Sequence, residues 1–150
     1  MYSHFEPTIL AEISTARSRI HVSFDGWGSK HEKISVLGVV VHFINQSYDN
    51  VTRLIALLEL LNHSKTRVCM YIDFIYDLFY FTNFLLIAQA SVLLPALNHF
   101  GITDNNLRFF ILDNTTNNDT TLIELSKLMD FDPVERRLRC IGYILNLIAE

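Results

Sequence analysis

Cysteine is scarce in this chain of 150 residues: Cys69 and Cys140 are the only two. They form no CxxC and no Cys/His finger. That spacing speaks against a disulfide framework and fits reduced thiols in an intracellular protein. Glycine is scarce too, at five residues. There is no glycine-rich phosphate loop and no GxSxG, so nucleotide hydrolysis and serine-hydrolase chemistry find no support. The six histidines, His4, His21, His31, His42, His63 and His99, are scattered and make no HExxH. Structural zinc normally needs four well-placed ligands, so a zinc site is not expected. Basic charge is also short, with 12 Lys and Arg against 16 Asp and Glu and a net charge of −4. Surfaces that hold DNA by its phosphates are usually basic, so the main DNA-holding surface of a DNA-acting protein would lie elsewhere or be very local. The opening MYSHFEPTIL lacks the basic-then-apolar pattern of a secretion signal, and no such leader is expected.

What the chain does have is apolar residues, half of the total. That composition and length suit one domain with one core. The pattern predicts a helix over Glu6 to Arg19, with Pro7 in its first turn and Ile9, Leu10 and Ile13 as its stripe. The period then changes. Ile20, Val22 and Phe24 alternate with His21, Ser23 and Asp25, which is strand spacing, and Gly26-Trp27-Gly28-Ser29 is expected to break the strand. Lys33 to Ile44 and Tyr48 to Leu58 read as two more strands joined by a turn at Asn45-Gln46-Ser47. Strands so closely spaced should be antiparallel.

Ser91 to Phe100 reads as a helix capped by Gly101. Leu107 to Leu112 reads as a strand buried on both faces, ending at Asp113 and polar Asn114 to Asn118. Thr121 and Glu124 fit a capping box for a helix that buries Leu122, Leu125, Leu128 and Met129 and stops at Asp132-Pro133. A short strand over Leu138 to Ile141 and a helix over Ile141 to Ala149 complete the order β-β-β-α-β-α-β-α. The expected fold class is α/β: a mixed sheet, three antiparallel strands and then strand–helix alternation, with helices packed on it.

Asp25 and Asp113 are the candidate chemical residues. Each ends a predicted strand and precedes a polar or glycine-rich turn. If the two strands are parallel neighbours, the carboxylates converge at one edge of the sheet. Two carboxylates form a hard oxygen site that suits magnesium, which keeps several waters in its shell. Two such ions can clamp the attacking and leaving oxygens of a phosphodiester. On spacing alone the structural reading outweighs this one, because Asp is common in turns, where its side chain bonds the backbone.

Three blocks shift that weight. Ile20 to Trp27 (IHVSFDGW) followed by Ser29 resembles the first catalytic block of the hAT family of DNA transposases, with Gly28 where Thr is usual. Phe110 to Asp119 (FILDNTTNND) resembles the second block, and Arg139 to Leu147 (RCIGYILNL) resembles the block with Cys-x-x-His before Asn-Leu. Their order and spacing agree with the family and span most of the chain. The resemblance implies a partial ribonuclease-H-like fold and cut-and-paste transposition. In that chemistry three acids hold Mg2+ or Mn2+ while water, then a DNA 3′-hydroxyl, attacks phosphodiesters. It implies Asp25 and Asp113 as the first two acids, catalytic and metal-binding. Trp27, Ser29, Asn114, Asn117 and Cys140 fall at motif-supporting positions. For the parent enzyme it implies DNA transposon ends as partner, a homo-oligomer, no small-molecule cofactor and a nuclear address. Tyr143 stands where the family has His, and no residue here matches the family's third acid, a Glu far downstream. Glu124, Glu135 and Glu150 sit in no matching motif. The chain alone is therefore expected to be inactive.

Val68 to Ala88 (VCMYIDFIYDLFYFTNFLLIA) has no counterpart in that pattern. Joining Arg67 to Gln89 restores a family-length connection, and Val-Cys can be encoded by GTATGT, a common fungal splice donor. The segment reads as a translated intron or gene-model error. The alternatives are a buried helix or a membrane span, since about 20 apolar residues cross a bilayer. Against a span, Asp73 and Asp77 would each cost roughly 2.5–3.5 kcal/mol near the membrane centre.

Other residues carry blander readings. Trp27 is expected to pack beside the first acid, and Asn114 and Asn117 to organise the loop after Asp113. Arg136, Arg137 and Arg139 read as a solvated turn, Cys140 as a buried thiol, and His21 and His42 as residues of a strand face. Two other functions remain open beside the transposase fragment. One is a decayed or domesticated interaction module. The other is a small membrane protein anchored by Val68 to Leu97.

Overall fold

The computed structural model describes residues 5–28, 34–61 and 85–140. Helix α1 (Glu6–Ser14) carries Pro7 in its first turn and buries Ile9 and Ile13. It stops five residues before the expected Arg19. The hydroxyls of Ser14 and Thr15 turn back to the Ala11 carbonyl at 2.9 and 2.8 Å. The next residues are then claimed by the sheet: Arg17 N–H donates to the Ile44 carbonyl, and Ser18 Oγ accepts from Ile44 N–H, both at 2.9 Å.

Strands β1 (Ile20–Gly28), β2 (Ile34–Ile44) and β3 (Asn50–Leu61) form the expected antiparallel meander. Gly26-Trp27-Gly28 does not break β1, because the long β2 offers Leu37, Val36 and Ser35 as partners to those three residues. The β2–β3 turn is built on Asn45, whose Oδ1 accepts from the backbone N–H of Ser47 and of Asp49, each at 2.9 Å. Tyr48 takes a left-handed φ of 66° there, so it belongs to the turn and not to β3.

Helix α2 (Leu85–His99) begins six residues earlier than the pattern predicts and takes up the last four residues of the apolar stretch. The rest of that stretch, and the expected intron or membrane readings of it, lie outside the described residues. Among the described residues, no helix is long and apolar enough to cross a membrane. Gly101 ends α2 as expected, with φ 67° and Ile102 N–H returning to the Leu97 carbonyl at 2.9 Å.

Strand β4 (Leu107–Leu112) has the predicted bounds. Leu107, Phe110 and Leu112 are buried, whereas Phe109 and Ile111 are half-buried, so only one face is fully covered. Helix α3 (Thr116–Met129) starts well before the predicted capping box. Thr121 is therefore interior. Its hydroxyl bonds the Asn117 carbonyl and Gln89 Oε1, at 3.0 and 2.6 Å, and caps nothing. Leu122, Leu125 and Met129 are buried as expected, but Leu128 is 58 % exposed. The earlier start extends the buried face of α3 towards its N-terminus, where it includes Asn118 and Thr121. Asp130, at φ 56°, ends the helix. Asp132 Oδ1 then accepts from Val134 N–H at 2.8 Å to cap the short helix α4 (Pro133–Arg136), which leads into β5 (Arg137–Arg139). The expected strand over 138–141 thus begins one residue earlier and ends at Arg139, and the expected helix over 141–149 lies outside the described residues.

The result is a five-stranded mixed sheet in the order β3-β2-β1-β4-β5, with β1–β4 and β4–β5 parallel. The α/β class with helices packed on a mixed sheet is therefore observed. One core gathers Ile20, Val22 and Phe24 of β1, the buried residues of β2, β3 and β4, and those of α1, α2 and α3. The three longer helices thus share one face. A bidentate Arg53–Glu12 pair at 2.8 Å ties β3 to α1 on that side. The other face carries His21, Ser23, His42 and Thr52.

Candidate functional site

Parallel pairing of β1 with β4 meets the condition on which Asp25 and Asp113 would converge. The last β1–β4 pair is Val22–Phe110. Asp25 lies three residues beyond it on β1, and Asp113 three residues beyond it on the β4 side. Neighbouring strands run about 4.8 Å apart, so both acids stand at the same end of the same strand pair. Asp25 is not at the end of β1, which continues to Gly28 against β2. It is past the end of the parallel ladder, and that opening is what exposes it.

The two carboxylates differ. Asp25 is exposed and has no side-chain hydrogen bond or ion pair among the described residues. Asp113 is half-buried, and its Oδ1 is fully engaged. It accepts from Thr115 N–H at 3.1 Å, Thr115 Oγ1 at 2.9 Å and Asn118 Nδ2 at 2.5 Å. The backbone contact is the turn role that Asp often plays. Its Oδ2 receives no hydrogen bond among the described residues. Thr115 and Asn118, not Asn114 and Asn117, organise this loop. Both Asn114 and Asn117 are exposed, and Asn117 contributes only its carbonyl, to Thr121.

The remaining expected residues scatter. Trp27 is 73 % exposed, so it is not packed beside Asp25 as expected. Cys140 is half-buried and not fully buried, and its N–H donates to the Leu112 carbonyl at 2.8 Å. Ser29 and Tyr143 lie outside the described residues. The arginine cluster is not a solvated turn. Arg136 bonds the Leu107 carbonyl and Asp104. Arg137 pairs with Asp119 and donates to the Asp113 carbonyl at 2.9 Å. Arg139 is exposed. No local spacing signal marks Arg137 or Asn118, since both act across the loop between β4 and α3.

Beside Gly26, on the face of the sheet that the helices cover, lies a buried polar pair. Gln89 of α2 accepts the Thr121 hydroxyl, and its Nε2 is 3.8 Å from where a Cβ on Gly26 would stand. On the opposite sheet face His42 bonds Ser23 Oγ at 3.0 Å and Thr52 Oγ1 at 3.1 Å. His21 stacks on Phe109 at 5.6 Å, and its buried Nδ1 has no hydrogen-bond partner. Burial, then Arg108, lowers the His21 pKa; burial, then His21, lowers that of His42.

Two carboxylates with three free oxygens between them fit a divalent cation of the magnesium type, with waters completing the shell. Among the described residues, no group of three or more His, Cys, Asp or Glu gathers to hold a metal. Asp25 and Asp113 would thus hold such an ion as a pair. No family model matches the chain, and no curated protein matches it.

Proposed function

We propose that this chain is part of a ribonuclease-H-like, metal-dependent domain that processes phosphodiesters, of the hAT transposase type. The observation that carries the reading is the parallel β1–β4 pairing, which brings Asp25 and Asp113 to one end of the sheet. The meander followed by parallel β4 and β5 supports the fold part of the reading. Mg2+ or Mn2+ would neutralise charge on a phosphodiester there. Asp25 and Asp113 would hold the ion, and the Thr115 and Asn118 donors would keep the Asp113 carboxylate in one orientation. Such a site acts by positioning and electrostatics more than by covalent chemistry. DNA as partner and a nuclear address would belong to the parent enzyme. With no third acid matched, the chain alone should bind an ion weakly and cleave no DNA.

One observation favours a second reading, a non-catalytic interaction module of the same descent. The Asp113 Oδ1 is committed to its loop, and an aspartate needs no metal to serve that structural role.

Mn2+ titration monitored by electron paramagnetic resonance separates the two. Binding by the wild-type chain that Asp25→Asn abolishes supports the metal site. No binding, or binding that Asp25→Asn leaves unchanged, overturns it in favour of the module.

A further inference from the structure

Arg137 is mostly buried, with 15 % of its side chain exposed, yet it belongs to neither acid block. It opens β5, where it pairs with Phe110 of β4. Its guanidinium spans the loop that carries Asp113. One end donates to the Asp113 carbonyl at 2.9 Å, and the other meets the carboxylate of Asp119 in the first turn of α3. The loop is thus held at its start and just past its finish by one rigid group. Between those points, Thr115 and Asn118 fix the Asp113 carboxylate through Oδ1. The guanidinium suits the task because its donors lie in one planar fork, whereas a lysine ammonium is a single point on a flexible stem. Arg137 Nε is buried without a partner, a cost that the other two contacts must offset.

We propose that Arg137 is a positioning residue for Asp113, clamping its backbone to α3 so that Oδ2 is presented to a divalent cation. This rests on the proposed metal site. Asp119 matters to it as well. Its carboxylate neutralises a guanidinium that would otherwise repel a cation held by Asp113. Residues that orient a metal ligand from behind typically govern about 10–100-fold in affinity.

Mn2+ affinity of the folded protein tests this, since a purely structural role would change stability and leave that affinity alone. Arg137→Gln should weaken Mn2+ binding about 10–100-fold, at a temperature where near-ultraviolet circular dichroism shows the native fold. Arg137→Lys should recover part of the loss. Asp119→Asn, which keeps the arginine but removes its counter-charge, should also weaken binding. It and the lysine variant carry the test if the glutamine variant fails to fold. Affinities within twofold of wild type in these variants, while Asp25→Asn still abolishes binding, would overturn the positioning role and leave the metal site standing. Absence of Mn2+ binding by the wild type, or binding indifferent to Asp25→Asn, would overturn both.

Discussion

His21 stands directly opposite His42 in the antiparallel β1–β2 ladder. Side chains so placed have Cβ atoms about 5 Å apart, and like charges there repel. Burial lowers both pKa values below the usual histidine value of 6.5, with Arg108 adding to the effect at His21 and His21 adding at His42. The folded state therefore favours the neutral rings. The unfolded chain takes up protons first, so stability is full above about pH 6.5 and declines as pH falls through the lowered folded values. Urea unfolding followed from pH 8 to pH 5 should show this decline. The double variant His21→Gln/His42→Gln should flatten it, and an equal slope in both proteins would refute the coupling.

Thr121 and Gln89 make a second testable pair. The hydroxyl-to-amide bond of 2.6 Å is buried between α2 and α3. Thr121→Val keeps the shape but leaves the Gln89 oxygen unpaired, which should cost about 1–3 kcal/mol. Thr121→Ser keeps the hydroxyl and should cost less. Chemical denaturation of the two variants should separate them, and equal losses would mean that the methyl contact is worth as much as the bond.

The buried face of α3 predicts a contrast between two leucines. Leu125 is fully buried and Leu128 is 58 % exposed. Leu125→Ala should lose about 2–5 kcal/mol through cavity formation. Leu128→Ala should stay within about 0.5 kcal/mol of wild type. Similar losses at both positions would place the buried face where the apolar pattern alone puts it.

That contrast shows why parts of the fold were legible in the sequence and others were not. β4 and the α2 cap follow from a bounded apolar run and from Gly101, both local signals. Residues 15–19 lost their predicted helix as the chain turned to the end of β2, which no local pattern announces. α3 began early because Asp113 folds back on Thr115 N–H, turning an apparently loop-like Asn-rich stretch into a first helical turn. Asp113 was legible as a strand-end residue, whereas Asp25 lies inside β1, and only the tertiary pairing of β1 with β4 brings the two acids to one end of the sheet. Arg137 and Asn118 were not legible. Each acts on Asp113 across the β4–α3 loop, and Arg137 reaches it from a separate strand.

Asp25 and Asp113 should part company when stability is measured without metal. Asp25 has no side-chain partner among the described residues, so Asp25→Ala should change stability by no more than about 0.5 kcal/mol. Asp113 Oδ1 accepts from the Thr115 backbone, the Thr115 hydroxyl and Asn118. Asn118 is buried, so Asp113→Ala leaves its amide without that acceptor and should cost about 1–3 kcal/mol. Asp113→Asn keeps an Oδ1 acceptor for the same donors and should recover much of the loss while removing the charge that a cation needs. Thermal unfolding of the three variants at neutral pH in EDTA gives the comparison. If Asp113→Ala proves as harmless as Asp25→Ala, the loop is not built on that carboxylate. The case for Asp113 as a structural aspartate would then fall, and a ligand-holding role would be left as the reading of that carboxylate.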